Sequence, residues 1–224
     1  MNLLKSALMQ SPCTWTINVG GASIDHIDML ATVGARCIFI DCERTPIHIE
    51  SVRPMVLAAK SHGMFTMLRS ENQQAETLIR YLDRGIDGIV VPHTQTLEEL
   101  QSIAQVIDYV SKGNPEQFMA IAQIESELAV ANIQSLASSQ AVDSFLIGPN
   151  DLSHSMGFKG NLQSPALWQA IDQVIEELKI HQRLWGIPGK PETQSELISK
   201  GAKYLYCTSQ QIMQQGFKSY LSIS

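Results

Sequence analysis

Two carboxylates and a glutamine fall where apolar runs stop. In FMAIAQIE (118–125), Gln123 and Glu125 are two residues apart. On an extended chain they share one side with Ile121, while Ala122 and Ile124 take the other. In SFLIGPNDLS (144–153), an apolar run gives way to Gly148, Pro149, Asn150 and Asp151. If the two stretches are neighbouring parallel strands, Glu125 and Asp151 converge. Converging carboxylates share a proton or hold a cation. Oxygen ligands suit Mg²⁺ or Mn²⁺, with water and substrate completing the shell.

Other runs end in charge too. CIFIDCERTP (37–46) closes on Asp41, Glu43 and Arg44, MFTMLR (64–69) on Arg69, and GIVVPH (88–93) on Pro92 and His93. Each has a plainer role when taken singly. Asp151 caps a short turn, Glu125 begins a helix, Arg69 is an ion-pair partner, and His93 packs in a turn. Collected at one end of one architecture, they read instead as a 2-keto acid site. A metal, an arginine for a carboxylate and a glutamine for a carbonyl or hydroxyl are its parts.

The elements that must position these residues recur along the chain. Strands are expected at 14–19, 35–41, 64–69, 88–92, 118–125, 144–149, 184–188 and 204–208, bounded by Gly, Pro or charge. Helical patterns fill 49–63, 75–85, 96–113, 164–182 and 193–201, most of them stopping on Gly. Thr96 with Glu98 and Glu99, and Ser164 with Pro165, mark two helix starts. Pro54 fits a first turn or a kink. Strands alternating with helices imply a parallel sheet, either a closed (β/α)8 barrel or an open doubly wound sheet. Eight strands favour the TIM barrel, and no GxGxxG or GxxxxGK[ST] supports the open forms. In a barrel, chemistry gathers at the C-terminal strand ends, where the polar residues lie.

Bulk properties exclude other classes. The 224 residues suit one barrel domain over 1–224, and 44% hydrophobic content supports a sizeable core. A net charge of −6 with scattered Lys and Arg argues against nucleic acid. No apolar run is long enough for a membrane span, and MNLLKSALMQSPCTW reads as a first helix or approach segment. Cys13, Cys37, Cys42 and Cys207 form no CxxC pair and read as reduced cytoplasmic thiols.

The chain resembles the HpcH/HpaI family of metal-dependent class II 2-keto-3-deoxy sugar acid (4-hydroxy-2-oxo acid) aldolases. The resemblance rests on IDCERTPIHIESVRP, LRSENQQAETLIRYLDRGIDGIVVP, AQIES and FLIGPNDLSHSMGFKGN, the last being the most specific. It implies a TIM barrel of the phosphoenolpyruvate/pyruvate-binding type. The assembly implied is a homo-oligomer, a hexamer or a dimer, with an exchanged C-terminal helix. The activity implied is reversible aldol cleavage of a 4-hydroxy-2-oxo acid to pyruvate, or a related keto acid, and an aldehyde. By the same likeness Glu125 and Asp151 are the metal ligands, and Arg69 contacts the keto acid and the carbonyl oxygen of the cleaved bond. Gln123 lines the pocket, backbone N–H groups around Gly148, Pro149, Asn150 and Asp151 hold the carboxylate, and Asp83 lies near a subunit junction.

Two departures stand out. Where the family has its presumed acid/base His, this chain reads Asp41, Cys42, Glu43, then Arg44. Arginine stays protonated and is a poor base, but suits a second carboxylate or a developing oxyanion. His93 is then a candidate base. The segment YVSKGNPEQFMA is also short, lacking the family's Pro-Pro-x-Gly-x-Arg-Gly loop. Two alternatives follow. One is condensation of acetyl-CoA with oxaloacetate, as in the citrate synthases of siderophore pathways. The other is a barrel that only binds a keto acid.

Overall fold

The computed structural model describes residues 2–221. Eight strands are hydrogen-bonded in sequence order and close on themselves: β1 Thr14–Asn18, β2 Cys37–Asp41, β3 Phe65–Arg69, β4 Gly88–Val91, β5 Met119–Ile124, β6 Ser144–Ile147, β7 Leu184–Pro188 and β8 Tyr204–Thr208. Every neighbouring pair is parallel, including β1 with β8. The strand expectations hold to within two residues at each end. The helices are α1 Leu3–Gln10, α2 Ile24–Thr32, α3 Ile49–Ser61, α4 Ala75–Leu82, α5 Leu97–Ser111, α6 Glu127–Ala131, α7 Ile133–Ser138, α8 Pro149–Ser155, α9 Pro165–Ile180, α10 Pro191–Ser199 and α11 Ser209–Leu221.

The period-two pleat sorts each strand into two cores. Outward residues such as Ile38, Ile40, Leu68, Ile89, Ala122, Ile124 and Leu205 meet the apolar faces of the helices. Inward residues Cys37, Phe39, Met67, Val90, Met119, Ile121, Leu146 and Tyr204 fill the barrel. Leu4 and Leu8 of α1 complete that inner cluster, so α1 stops the N-terminal mouth. Asn2 fastens it, donating to Asp87 O and Gln117 O ahead of β4 and β5.

Local signals act as the sequence suggests, with exceptions. Thr96 and Glu99 form a reciprocal capping box at α5. Ser164 stands at the start of α9 but makes no side-chain cap bond. Pro54 lies at the sixth residue of α3 rather than in its first turn, and the helix continues past the missing N–H. Asp83 caps the C-terminal end of α4, at the mouth opposite the strand ends that carry the site. All four cysteines are free, and burial pushes the Cys42 thiol up to about 12. No described helix is long and apolar enough to cross a membrane.

Candidate active site

The C-terminal mouth is assembled from strand ends. The β2–β3 register sets Asp41 directly beside Arg69. Arg69 Nε and Nη2 donate to the two Asp41 oxygens at 3.0 and 2.6 Å. Asp41 Oδ1 also accepts the backbone N–H groups of Glu43 and Arg44, turning the chain at the strand end. Arg69 Nη1 lies 2.9 Å from Glu43 Oε2, off the hydrogen-bond angle, so that contact is ionic. Burial works against the Arg69 charge, but the hydrogen bonds and charge of Asp41, with Glu43, more than reverse this. Arg69 is thus an ion-pair partner at the strand ends where the sequence places the candidate site.

His93 follows β4 in a left-handed conformation, φ 55°, uncommon for a residue with a side chain. That turn aims its backbone N–H at Glu125 Oε1, 2.7 Å away. Its ring spans two carboxylates, Nε2 at 3.1 Å from Glu43 Oε1 and Nδ1 at 3.0 Å from Glu125 Oε1. Gln123 and Glu125 do share the inner side with Ile121, and Gln123 Nε2 donates to Glu125 Oε2 at 2.5 Å. Glu125 is 2% exposed. Burial pushes its carboxyl up to about 7, against the pull of His93 and with added push from Asp151 and Glu43. Gly148 makes room for this pair, since a Cβ there would sit 2.9 Å from Glu125 Cβ and 3.0 Å from Gln123 Nε2.

Asp151 lies in the first turn of α8, after Pro149 and Asn150, and is not the cap. Arg44 Nη2 donates to Asp151 Oδ1 at 2.8 Å, tying the end of β2 to α8 across the mouth. Thus Asp41, Glu43, Arg44, Arg69, His93, Gln123, Glu125 and Asp151 are all gathered there. Asn18 and Tyr206, which the sequence reading passed over, join them. Asn18 Nδ2 donates to Asp41 Oδ2 at 3.3 Å and to the Tyr206 hydroxyl at 2.8 Å. The two-residue alternation that singled out Gln123 and Glu125 would also have paired Asn18 with Thr16, and Tyr206 with Tyr204, on inner faces.

The donor set fits a hard divalent cation on several counts. Glu125 and Asp151 are close enough for their charges to oppose each other. Gln123 Oε1 is buried and accepts no hydrogen bond among the described residues. No cluster of three or more His, Cys, Asp or Glu is arranged for a metal among the described residues. A cation here would therefore rest on two carboxylates, leaving its other positions to substrate and water.

A barrel with its charged groups at the C-terminal strand ends defines an enzyme-type (β/α)8 fold. More particularly, the chain belongs to the HpcH/HpaI aldolase/citrate lyase family, whose model matches residues 16–203. It is 26% identical over 183 residues to the 5-keto-4-deoxy-D-glucarate aldolase of Salmonella arizonae, covering 71% of each chain. Among solved structures it resembles the citrate synthase SbnG, with TM-score 0.87, 21% identity, and coverage of 98% of this chain and 96% of that one. It also resembles an HpcH/HpaI aldolase from Desulfitobacterium hafniense DCB-2, with TM-score 0.85, 20% identity, and coverage of 100% and 96%. These two likenesses speak for the fold.

Proposed function

We propose that the chain catalyses reversible, divalent-metal-dependent aldol cleavage of a 4-hydroxy-2-oxo acid to pyruvate, or a related keto acid, and an aldehyde. The observation that carries this reading is the Glu125 and Asp151 pair beside the unpartnered Gln123 Oε1. A cation held by the two carboxylates, Mg²⁺ or Mn²⁺ by its oxygen ligands, would polarise the 2-keto group as a Lewis acid and stabilise the enolate.

The chain's own residues bind and orient. Arg69, locked by Asp41 and Glu43, presents a fixed cation to the keto acid. Backbone N–H groups of Asn150 and Asp151 open α8, behind Gly148 and Pro149, and suit the substrate carboxylate. Gln123 Oε1 accepts from a substrate hydroxyl or water. His93, gripped by Glu43 and Glu125, can pass a proton through either ring nitrogen. Arg44 is half exposed. With Asp151 holding a cation, the Arg44 guanidinium would be free to meet a second carboxylate on the substrate. The relative's name describes a sugar acid with a carboxylate at each end, and that class of substrate suits Arg44.

The first test is exchange of the pyruvate methyl protons in heavy water, followed by NMR with Mg²⁺ or Mn²⁺ and then with chelator. Metal-dependent exchange is expected. Folded, metal-bound protein that leaves the methyl protons in place overturns the reading. Condensation of pyruvate with glyoxylate, and cleavage of 5-keto-4-deoxy-D-glucarate, then test the second substrate. Arg44 also favours a second reading, condensation of acetyl-CoA with oxaloacetate, since oxaloacetate carries two carboxylates. Release of free thiol from that pair of substrates distinguishes it.

We further propose a homo-oligomer in the cytoplasm. Ile212, Met213, Phe217 and Tyr220 of α11 are exposed beside a groove of about 1360 Å³ that reaches from α1 to α10. This fits the helix exchange implied by the family likeness. The four free thiols fit a reducing compartment. Light scattering on the intact chain and on Phe217→Asp is expected to show the assembly weakened by the charge, and a monomeric wild type would exclude it.

A further inference from the structure

The wall of the mouth formed by β8 and β1 holds a hydroxyl with no acceptor for its proton among the described residues. Tyr204 and Tyr206 share the inner side of β8. Tyr204, the deeper, is fully buried and its hydroxyl donates to Phe145 O at 2.9 Å. Tyr206, one layer nearer the mouth, is only partly buried. Its ring is set edge-on against Phe39, centroids 4.9 Å apart and planes at 78°. Asn18 fixes the role of its oxygen. Asn18 Oδ1 takes the Gly20 N–H at 2.8 Å, so the amide nitrogen must face Tyr206 and Asp41. The Tyr206 oxygen therefore accepts, and its own hydrogen goes to no described residue.

The other groups around it are already committed. Arg69 spends its nitrogens on Asp41 and Glu43, Arg44 reaches Asp151, and the Gln123 amide reaches Glu125. The His93 ring lies between Glu43 and Glu125, Asn18 is spent on Asp41 and Tyr206 itself, and the carboxylates of the mouth repel a developing oxyanion. Burial raises the Tyr206 pKa, with Asn18 opposing and Asp41 reinforcing, so the residue stays a phenol.

We propose that Tyr206 is a catalytic residue of this site, donating a hydrogen bond to the oxygen on C4 of the 4-hydroxy-2-oxo acid, the aldehyde oxygen once the C3–C4 bond has broken. The inference rests on the aldol reading. With the keto acid end at β5 and β6, the aldehyde end faces the wall running from β8 to β2. A donor on that wall gains strength as charge builds on the oxygen, which lowers the barrier rather than merely tightening binding.

Tyr206→Phe removes the hydroxyl and keeps the ring against Phe39. Two rates are measured on the metal-loaded protein, pyruvate methyl exchange in heavy water and condensation of pyruvate with glyoxylate. Exchange is expected to stay within about twofold of wild type, while kcat for condensation falls roughly 10- to 100-fold with melting temperature unchanged. Equal loss in both rates would make Tyr206 a prop for Asn18, Asp41 and Arg69 and overturn the proposal. So would no loss in either rate. A wild type inactive in both assays would sink the aldol reading itself, which separates the two failures. If the Phe variant melts early, Asn18→Ser removes the anchor and leaves the phenol. A similar selective loss of condensation is then expected, and unchanged condensation overturns the proposal.

Discussion

The two mouths of this barrel are built from opposite chemistry. At the N-terminal mouth, Leu4 and Leu8 are 1% and 0% exposed and pack among Cys37, Met67 and Met119. Polar groups there fasten the plug, as Asn2 does to two carbonyls and Lys5 to Asp143 at 2.7 Å. At the C-terminal mouth, Asp41, Gln123 and Glu125 are as deeply buried as core residues but are polar. Burying ionised groups costs free energy, which their pairing only partly offsets. Apolar packing is thus concentrated at one end and buried charge at the other, within one set of strands.

Substitutions at each end can break this contrast. The largest effect is expected from Glu125→Gln or Asp151→Asn. Losing several kcal/mol of transition-state charge stabilisation corresponds to roughly a 10³-fold fall in metal-dependent pyruvate exchange. Wild-type rates in either variant would remove both residues from the site. Next is Leu8→Ala, a buried deletion at the plug, expected to cost about 2–5 kcal/mol in denaturant unfolding. Exchange by the folded variant should stay near wild type, and a matching loss of activity would mean that the two mouths are not independent.

A pH series sharpens the contrast further. The Glu125 carboxyl titrates near 7 in the fold against an ordinary 4.5, so the folded state holds that proton more tightly. Its contribution to stability is complete below about 4.5 and is lost as pH rises through 7, up to about 3 kcal/mol. Melting in chelator should therefore show wild type losing stability relative to Glu125→Gln across that window. Parallel curves would mean that the carboxyl ionises freely. The smallest effect belongs to Arg44→Ala. Its exposed ion pair with Asp151 is worth less than about 1 kcal/mol to the fold. The KM for glyoxylate should rise roughly tenfold while that for acetaldehyde hardly moves, as expected for one charge-assisted contact. Equal changes for both aldehydes would remove Arg44 from carboxylate recognition.

Much of the fold was legible because each strand is a short apolar run cut off by Gly, Pro or charge, and strand boundaries are set by those local signals. The carboxylates and arginines were legible because charge at the end of an apolar run is conspicuous. Asn18 and Tyr206 were not. TWTINV and YLYCT read as ordinary strand sequence, and only the closing contact of β1 with β8 brings the two side chains together. Helices α2, α6, α7, α8 and α11 were also passed over: α2 and α8 follow strands through polar turns, α6 and α7 are only five and six residues long, and the apolar residues of α11 stay exposed among the described residues. The turn into β7 is made by Gln182 at φ 52°, where a Gly would have been the visible stop signal.

The plug formed by α1 gives the barrel a single door. On the proposed reaction, both products must leave through the mouth at which they formed. With the keto acid end against the buried Gln123 and Glu125, the aldehyde would depart first and the keto acid last. Entry in the synthetic direction would run in the opposite sequence, an order set by barrel closure rather than by any one side chain.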